Sequence, residues 1–122
     1  MKRIFDKVSY ECSERVTKTY STSFSMATKL LSKSIRTDIY NIYGFVRFAD
    51  EIVDSFHDFN KTELFNSFAF DLKKALLNKI SLNPILNSFQ HSYHKYSIDK
   101  ELVDSFMNSM RMDLKKKKYS TV

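Results

Sequence analysis

Asp50 and Asp54 lie one helical turn apart in segment 34–56, which reads SIRTDIYNIYGFVRFADEIVDSF. Two carboxylates at that spacing can share a hard cation such as Mg²⁺, which takes oxygen ligands and bridges to phosphate oxygens. Arg47, one turn earlier, can bind the same phosphates through charge-assisted hydrogen bonds. On a helix advancing about 100° per residue, Arg36, Tyr40, Tyr43, Arg47, Asp50 and Asp54 fall within an arc of about 80°. Ile39, Ile42, Phe45, Val46, Ala49, Ile52 and Val53 spread over roughly the opposite half, and Thr37, Asn41, Gly44, Glu51 and Ser55 form a third, narrow strip. Two separated polar strips on an otherwise apolar helix predict that one faces a cavity and the other water. The charged stripe is the cavity candidate, and the mostly neutral strip the water-facing one. The same spacings also describe a surface ion-pair ladder, worth a few tenths of a kcal/mol per pair.

Positioning such a stripe requires helices. One glycine and one proline in 122 residues leave few sites for hairpin turns, while apolar residues recur at three- and four-residue spacing. An all-α chain of five to six helices is therefore expected. A first helix over about 4–18 is followed by Thr19-Tyr20-Ser21-Thr22-Ser23, whose hydroxyls favour a break or cap, and then by a short helix over about 24–31. Ser32 or Ser34 can cap a long helix reaching about residue 55. Asn60 with Glu63 resembles a capping box for a helix ending near Asn78. Asn83-Pro84 opens a helix to about residue 96, and Asp99 caps a last one to about 117.

The formal charge of +6 favours an anionic partner, but four cations form one run, 115–118, at the end of the last helix. Such runs are favoured by the helix dipole and solvated. With no recognition motif beside them, nucleic acid is not expected; a diphosphate or acidic lipid headgroups suit the charge. Cys12 alone makes no intrachain disulfide and fits a reducing cytoplasm. Asp6, Lys7 and Glu11 interrupt any N-terminal apolar stretch, and no run of about 18 apolar residues occurs, so neither a signal peptide nor a membrane span is expected. His57, His91 and His94 match no motif and read as surface or loop residues; Met107, Met110 and Met112 read as core filler.

The spacing from Arg36 through Tyr43, Arg47 and Asp50 to Asp54, R-x6-Y-x3-R-x2-D-x3-D, closely resembles the first aspartate-rich motif of squalene and phytoene synthases. Upstream, Ser21-Thr22-Ser23-Phe24-Ser25 with Ala27 and Leu30-Leu31 is similar to the serine-phenylalanine segment that opens the active site in that family. Downstream, Ser109-Met110-Arg111-Met112-Asp113-Leu114, ending in Tyr119-Ser120-Thr121, resembles the stretch before its second half.

The resemblance implies an all-α isoprenoid-synthase fold and head-to-head joining of two prenyl diphosphates through a cyclopropyl diphosphate. It implies Asp50 and Asp54 as Mg²⁺ ligands, Arg47 and Arg36 as grips on diphosphate oxygens, and Ser21 and Ser23 as hydroxyl donors to that anion. Tyr43 would lie beside the reacting carbons and Phe24 would form an apolar wall; Asp113 matches an acidic position of unassigned role. Ser21 and Ser23 equally fit a capping role, and Phe24 and Tyr43 equally fit core packing. A phytoene synthase-like reaction on geranylgeranyl diphosphate, in carotenoid biosynthesis, is the leading expectation. A squalene or dehydrosqualene synthase-like reaction on farnesyl diphosphate and a non-catalytic helical interaction module are the alternatives. The second aspartate-rich motif of the family is not present, so residues 1–122 are expected to be one partial domain, inactive alone: a truncated gene product, a partial sequence, or one part of a split enzyme whose complementary half is a partner in trans. A cytoplasmic location with peripheral membrane contact completes the expectation.

Overall fold

Asparagine and aspartate caps start three of the helices. Asn60 Oδ1 accepts from the Glu63 backbone N–H at 3.0 Å, and its amide donates to the Glu63 carboxylate at 3.4 Å. Asn83 Oδ1 accepts from the N–H groups of Ile85 and Leu86, and Pro84 occupies the first turn, where its missing donor costs nothing. Asp99 Oδ1 accepts from the Glu101 N–H at 2.9 Å. The structure, a computed structural model, describes residues 1–120, with side chains to Lys116. Thr121, which ends the downstream motif, lies outside the described residues, as do the side chains of Lys117, Lys118, Tyr119 and Ser120.

The described residues form six helices and no strand: α1 (Lys2–Tyr20), α2 (Thr22–Thr28), α3 (Lys33–Asp54), α4 (Lys61–Asn78), α5 (Pro84–Lys95) and α6 (Lys100–Ser120). The hydroxyl-rich stretch after α1 breaks the helix for one residue only. Thr17 Oγ1 donates to the Ser13 carbonyl at 2.9 Å and stays helical, whereas Ser21 leaves the helix and accepts from the Phe24 N–H at 3.2 Å, capping α2. Helix α2 thus begins and ends earlier than the hydrophobic spacing predicts, and Leu30 and Leu31 fall in the following turn, both exposed.

Helix α3 is the hub, packing on α1, α4, α5 and α6. Its Phe45 stacks on Phe89 of α5 at 4.1 Å between ring centroids and contacts Phe68 of α4 and Phe106 of α6. Ala49, Ile52 and Val53 extend this core to Phe65, Leu72, Ile85, Leu86, Val103 and Leu114. Met107 and Met110 pack against it as expected, whereas Met112 is 62% exposed, because α6 turns that position to solvent.

The strip expected to face water is instead buried at its centre, at Asn41 and Gly44, while Thr37, Glu51 and Ser55 are half-buried. Gly44 meets α1 so closely that an added Cβ would lie 3.2 Å from Ser13 Oγ. Asn41 is fully buried and donates to Ser92 of α5 at 3.1 Å. The cause is the small-residue face of α1, where Ser9, Ser13 and Thr17 are all fully buried and let the two backbones approach. A carboxylate outside the stripe is buried too: Asp38 accepts from Ser92 Oγ, Lys95 Nζ and the Tyr96 hydroxyl at 2.7, 2.7 and 2.8 Å. His57 and His91 are exposed, but His94 is half-buried, its ring nitrogens 2.8 Å from the Gln90 carbonyl and 3.1 Å from the Leu76 carbonyl. Among the described residues no helix is long and apolar enough to cross a membrane.

Candidate active site

With Gly44 and Asn41 committed to α1 and α5, part of the charged stripe of α3 stays accessible: Arg36, Tyr43, Arg47 and Asp50 are half-buried and Asp54 is exposed, whereas Tyr40, at 2% exposure, belongs to the core. Arg47 is the best-held member. Its Nη2 donates to Glu51 Oε2 at 2.8 Å, its Nη1 lies 3.7 Å from Asp50 Oδ2, and its guanidinium sits 4.8 Å from the centroid of the Tyr20 ring. Burial works against that charge, but Glu51 and then Asp50 outweigh it, so Arg47 holds its proton more firmly than an ordinary arginine. Glu51 is held below the usual carboxylate range by hydrogen bonds from Ser55 and then Arg47. Burial and the Glu51 carboxylate push the Tyr20 phenol up.

This arrangement leaves the two motif aspartates more open. The Asp50 side chain is 38% exposed against 20% for Glu51, and Asp54 is exposed at the end of α3. Glu51, not Asp50, is thus the closer anchor of Arg47. The sequence reading missed both Glu51 and Tyr20. The i,i+4 spacing from Arg47 could have found Glu51; no local signal could have found Tyr20, which arrives from the end of α1.

Phe24 and Tyr43 stack at 5.0 Å between centroids, so the α1–α2 corner is brought onto the stripe. Ser21 lies at that corner with its oxygen accepting the cap bond, which leaves its hydroxyl proton free for an acceptor, and Ser23 is exposed on α2. Arg36 is not gathered with the others. It sits eleven residues before Arg47, about 16 Å along the helix, and its Nη2 donates to the carbonyls of Lys29 and Leu31, closing the end of α2. The Nε–H groups of both Arg36 and Arg47 are buried donors without a partner. Asp113 is exposed on α6.

Asp50 and Asp54 fit a hard divalent cation as an incomplete donor set. Among the described residues no group of three or more His, Cys, Asp or Glu side chains is placed to hold a metal. Two carboxylates one turn apart suit Mg²⁺, which keeps several waters and takes one or two carboxylates plus phosphate oxygens.

The family model described as squalene/phytoene synthase matches residues 17–122, beginning near the end of α1 and including the whole stripe. The chain belongs to the squalene/phytoene synthase family. Comparison with curated proteins finds no match. Membership supports a transferase of prenyl groups and an all-α fold, and enzymes of the squalene/phytoene synthase family generally use a divalent metal.

Proposed function

We propose that the chain supplies the first carboxylate pair and diphosphate grip of a phytoene synthase-like reaction, the head-to-head condensation of two geranylgeranyl diphosphates in carotenoid biosynthesis. The observation that carries this reading is the arrangement of Arg47: held by Glu51 and Tyr20, it stands one turn before the half-buried Asp50, with the exposed Asp54 one turn further along the same helix.

Asp50 and Asp54 would hold Mg²⁺ through carboxylate oxygens. Bound there, the cation would neutralise charge that develops on the departing diphosphate as it takes the electron pair of the breaking carbon–oxygen bond. Arg47 would bind the same diphosphate oxygens, with its fork fixed beforehand by Glu51 and by the Tyr20 ring. The Ser21 and Ser23 hydroxyls would donate to the anion from the α1–α2 corner. The stacked pair Phe24 and Tyr43 would line the path of the isoprenoid chain, excluding water and presenting ring faces to developing positive charge. Arg36 would reach a second diphosphate only by giving up its carbonyl bonds at the end of α2, and so acts first as a brace for that corner.

The test is calorimetric titration with a non-hydrolysable geranylgeranyl diphosphate analogue, with and without Mg²⁺, using the chain and its Asp50→Ala/Asp54→Ala variant. Binding that needs both the metal and the aspartates is expected. Equal binding by the folded double variant, or binding indifferent to Mg²⁺, would overturn the assignment.

A further inference from the structure

The outward side of α1 borders a groove that the described residues leave open. Val8, Cys12 and Val16 of α1, Phe48 of α3, and Pro84 and Ile85 at the start of α5 line this depression of about 680 Å³. Val8 is 48% exposed, and Cys12, Val16 and Phe48 rest on the core only half-buried. The polar members of the lining are Glu11, Arg15 and Asn83, and Asn83 is already engaged in capping α5. A small polar ligand would need several convergent polar groups, whereas an apolar floor beside two charges suits the side chains of another folded surface.

The two charges select the kind of surface. Along α1, Lys2 closes on Asp6 at 2.7 Å and Lys18 on Glu14 at 2.6 Å. Glu11 and Arg15 are also four residues apart, in the order that favours pairing. Yet both are exposed, and neither takes part in an ion pair among the described residues. A uniformly acidic or basic partner would meet one repulsion for each attraction here. A second α1 running antiparallel presents the same two charges in reversed order, so that under a two-fold axis each glutamate faces an arginine.

We infer that the chain self-associates through this face, two copies of α1 packing antiparallel about a two-fold axis at the level of Cys12 and Ser13. That axis brings Glu11 of each copy to Arg15 of the other, and Val8 of each over the Val16 and Phe48 floor of the other's groove. Removal of that floor from water supplies the attraction, and the two ion pairs at the rim set the register. Phe48 lies about 120° around α3 from the centre of the charged stripe, so association leaves Asp50 and Asp54 open. The inference is independent of the reaction proposed above.

Sedimentation velocity from about 1 to about 200 μM tests this, with circular dichroism establishing that each variant is folded. A small interface of this kind should give the wild-type chain a dissociation constant on the order of 10 μM. Glu11→Arg sets arginine against arginine in both pairs, and Arg15→Glu sets glutamate against glutamate. Each variant alone should associate about tenfold more weakly than wild type. An equimolar mixture of the two should regain the wild-type affinity as a heterodimer, because every facing pair is then of opposite charge. Val8→Asp should abolish association by setting a carboxylate against the apolar floor. A wild-type chain that stays monomeric to the highest concentration would overturn the inference and leave the groove to a different protein. Association of Glu11→Arg, Arg15→Glu or Val8→Asp as strong as that of wild type would place the contact elsewhere and overturn it equally. So would a mixture that associates as weakly as its components, because the two charges would then not meet.

Discussion

Replacing Asp38 by alanine removes a carboxylate whose side chain is 5% exposed and which joins α3 to the end of α5. The three donors around it respond differently. Lys95 and Tyr96 are exposed enough to return to water when the carboxylate is lost. Ser92 is fully buried, and its hydroxyl would lose an acceptor 2.7 Å away with no water to replace it. A hydrogen bond to a charged group contributes about 1.5–3 kcal/mol, so Asp38→Ala should cost about 2 kcal/mol, or roughly 8 °C in midpoint for a chain of this size.

Asp38→Asn keeps an acceptor for Ser92 while removing the charge, and this variant tests the electrostatics. Burial alone pushes the Asp38 carboxyl up, but hydrogen bonds from Lys95, Ser92 and Tyr96 outweigh it and hold the group below the usual carboxylate range. The native state therefore binds this proton less readily than the unfolded chain. The stabilisation is fully present above the unfolded value of about 4 and is lost as pH falls through the folded value. Urea unfolding followed by circular dichroism, from neutral pH to below pH 4, should show wild type and Asp38→Asn converging only at the acid end. Asp6 and Glu51 are depressed as well, and the difference between wild type and variant cancels their contribution. A loss for Asp38→Ala under about 0.5 kcal/mol, or a wild-type-to-Asn difference that does not narrow on acidification, would refute the reasoning.

Arg47→Lys keeps the charge but removes the fork that contacts Glu51 and Asp50 and the flat face against Tyr20; binding of the diphosphate analogue should weaken about tenfold in calorimetry. Gly44→Leu should destabilise by about 3 kcal/mol in urea unfolding, because even a Cβ at 44 would lie 3.3 Å from Ser13 Cβ. Gly44→Ala should stay within about 1 kcal/mol, since the helical gain from alanine offsets part of the crowding. Asn83→Ala leaves the N–H groups of Ile85 and Leu86 without their acceptor and should cost about 1 kcal/mol by the same assay.

Much of this protein is determined locally. Asn60 with Glu63, Asn83 with Pro84, and Asp99 start helices where their side chains alone dictate, since a cap acts within three residues and needs nothing from the rest of the chain. The spacing of Arg47, Asp50 and Asp54 identified the family motif for the same reason: on one helix, sequence separation alone sets the angle between side chains. Which face of α3 is buried was not determined in this way. The strip of Asn41 and Gly44 reads as solvent-facing by composition, yet it is the close contact, because Ser9, Ser13 and Thr17 of α1 present a matching row of small side chains. Tyr20 under Arg47 and the clasp of Asp38 by Ser92, Lys95 and Tyr96 likewise join residues that are 27 and 54 to 58 positions apart. Periodicity within a helix says which residues share a side, but only the neighbouring helices decide which side is inward, because burial belongs to the pair of surfaces and not to either one.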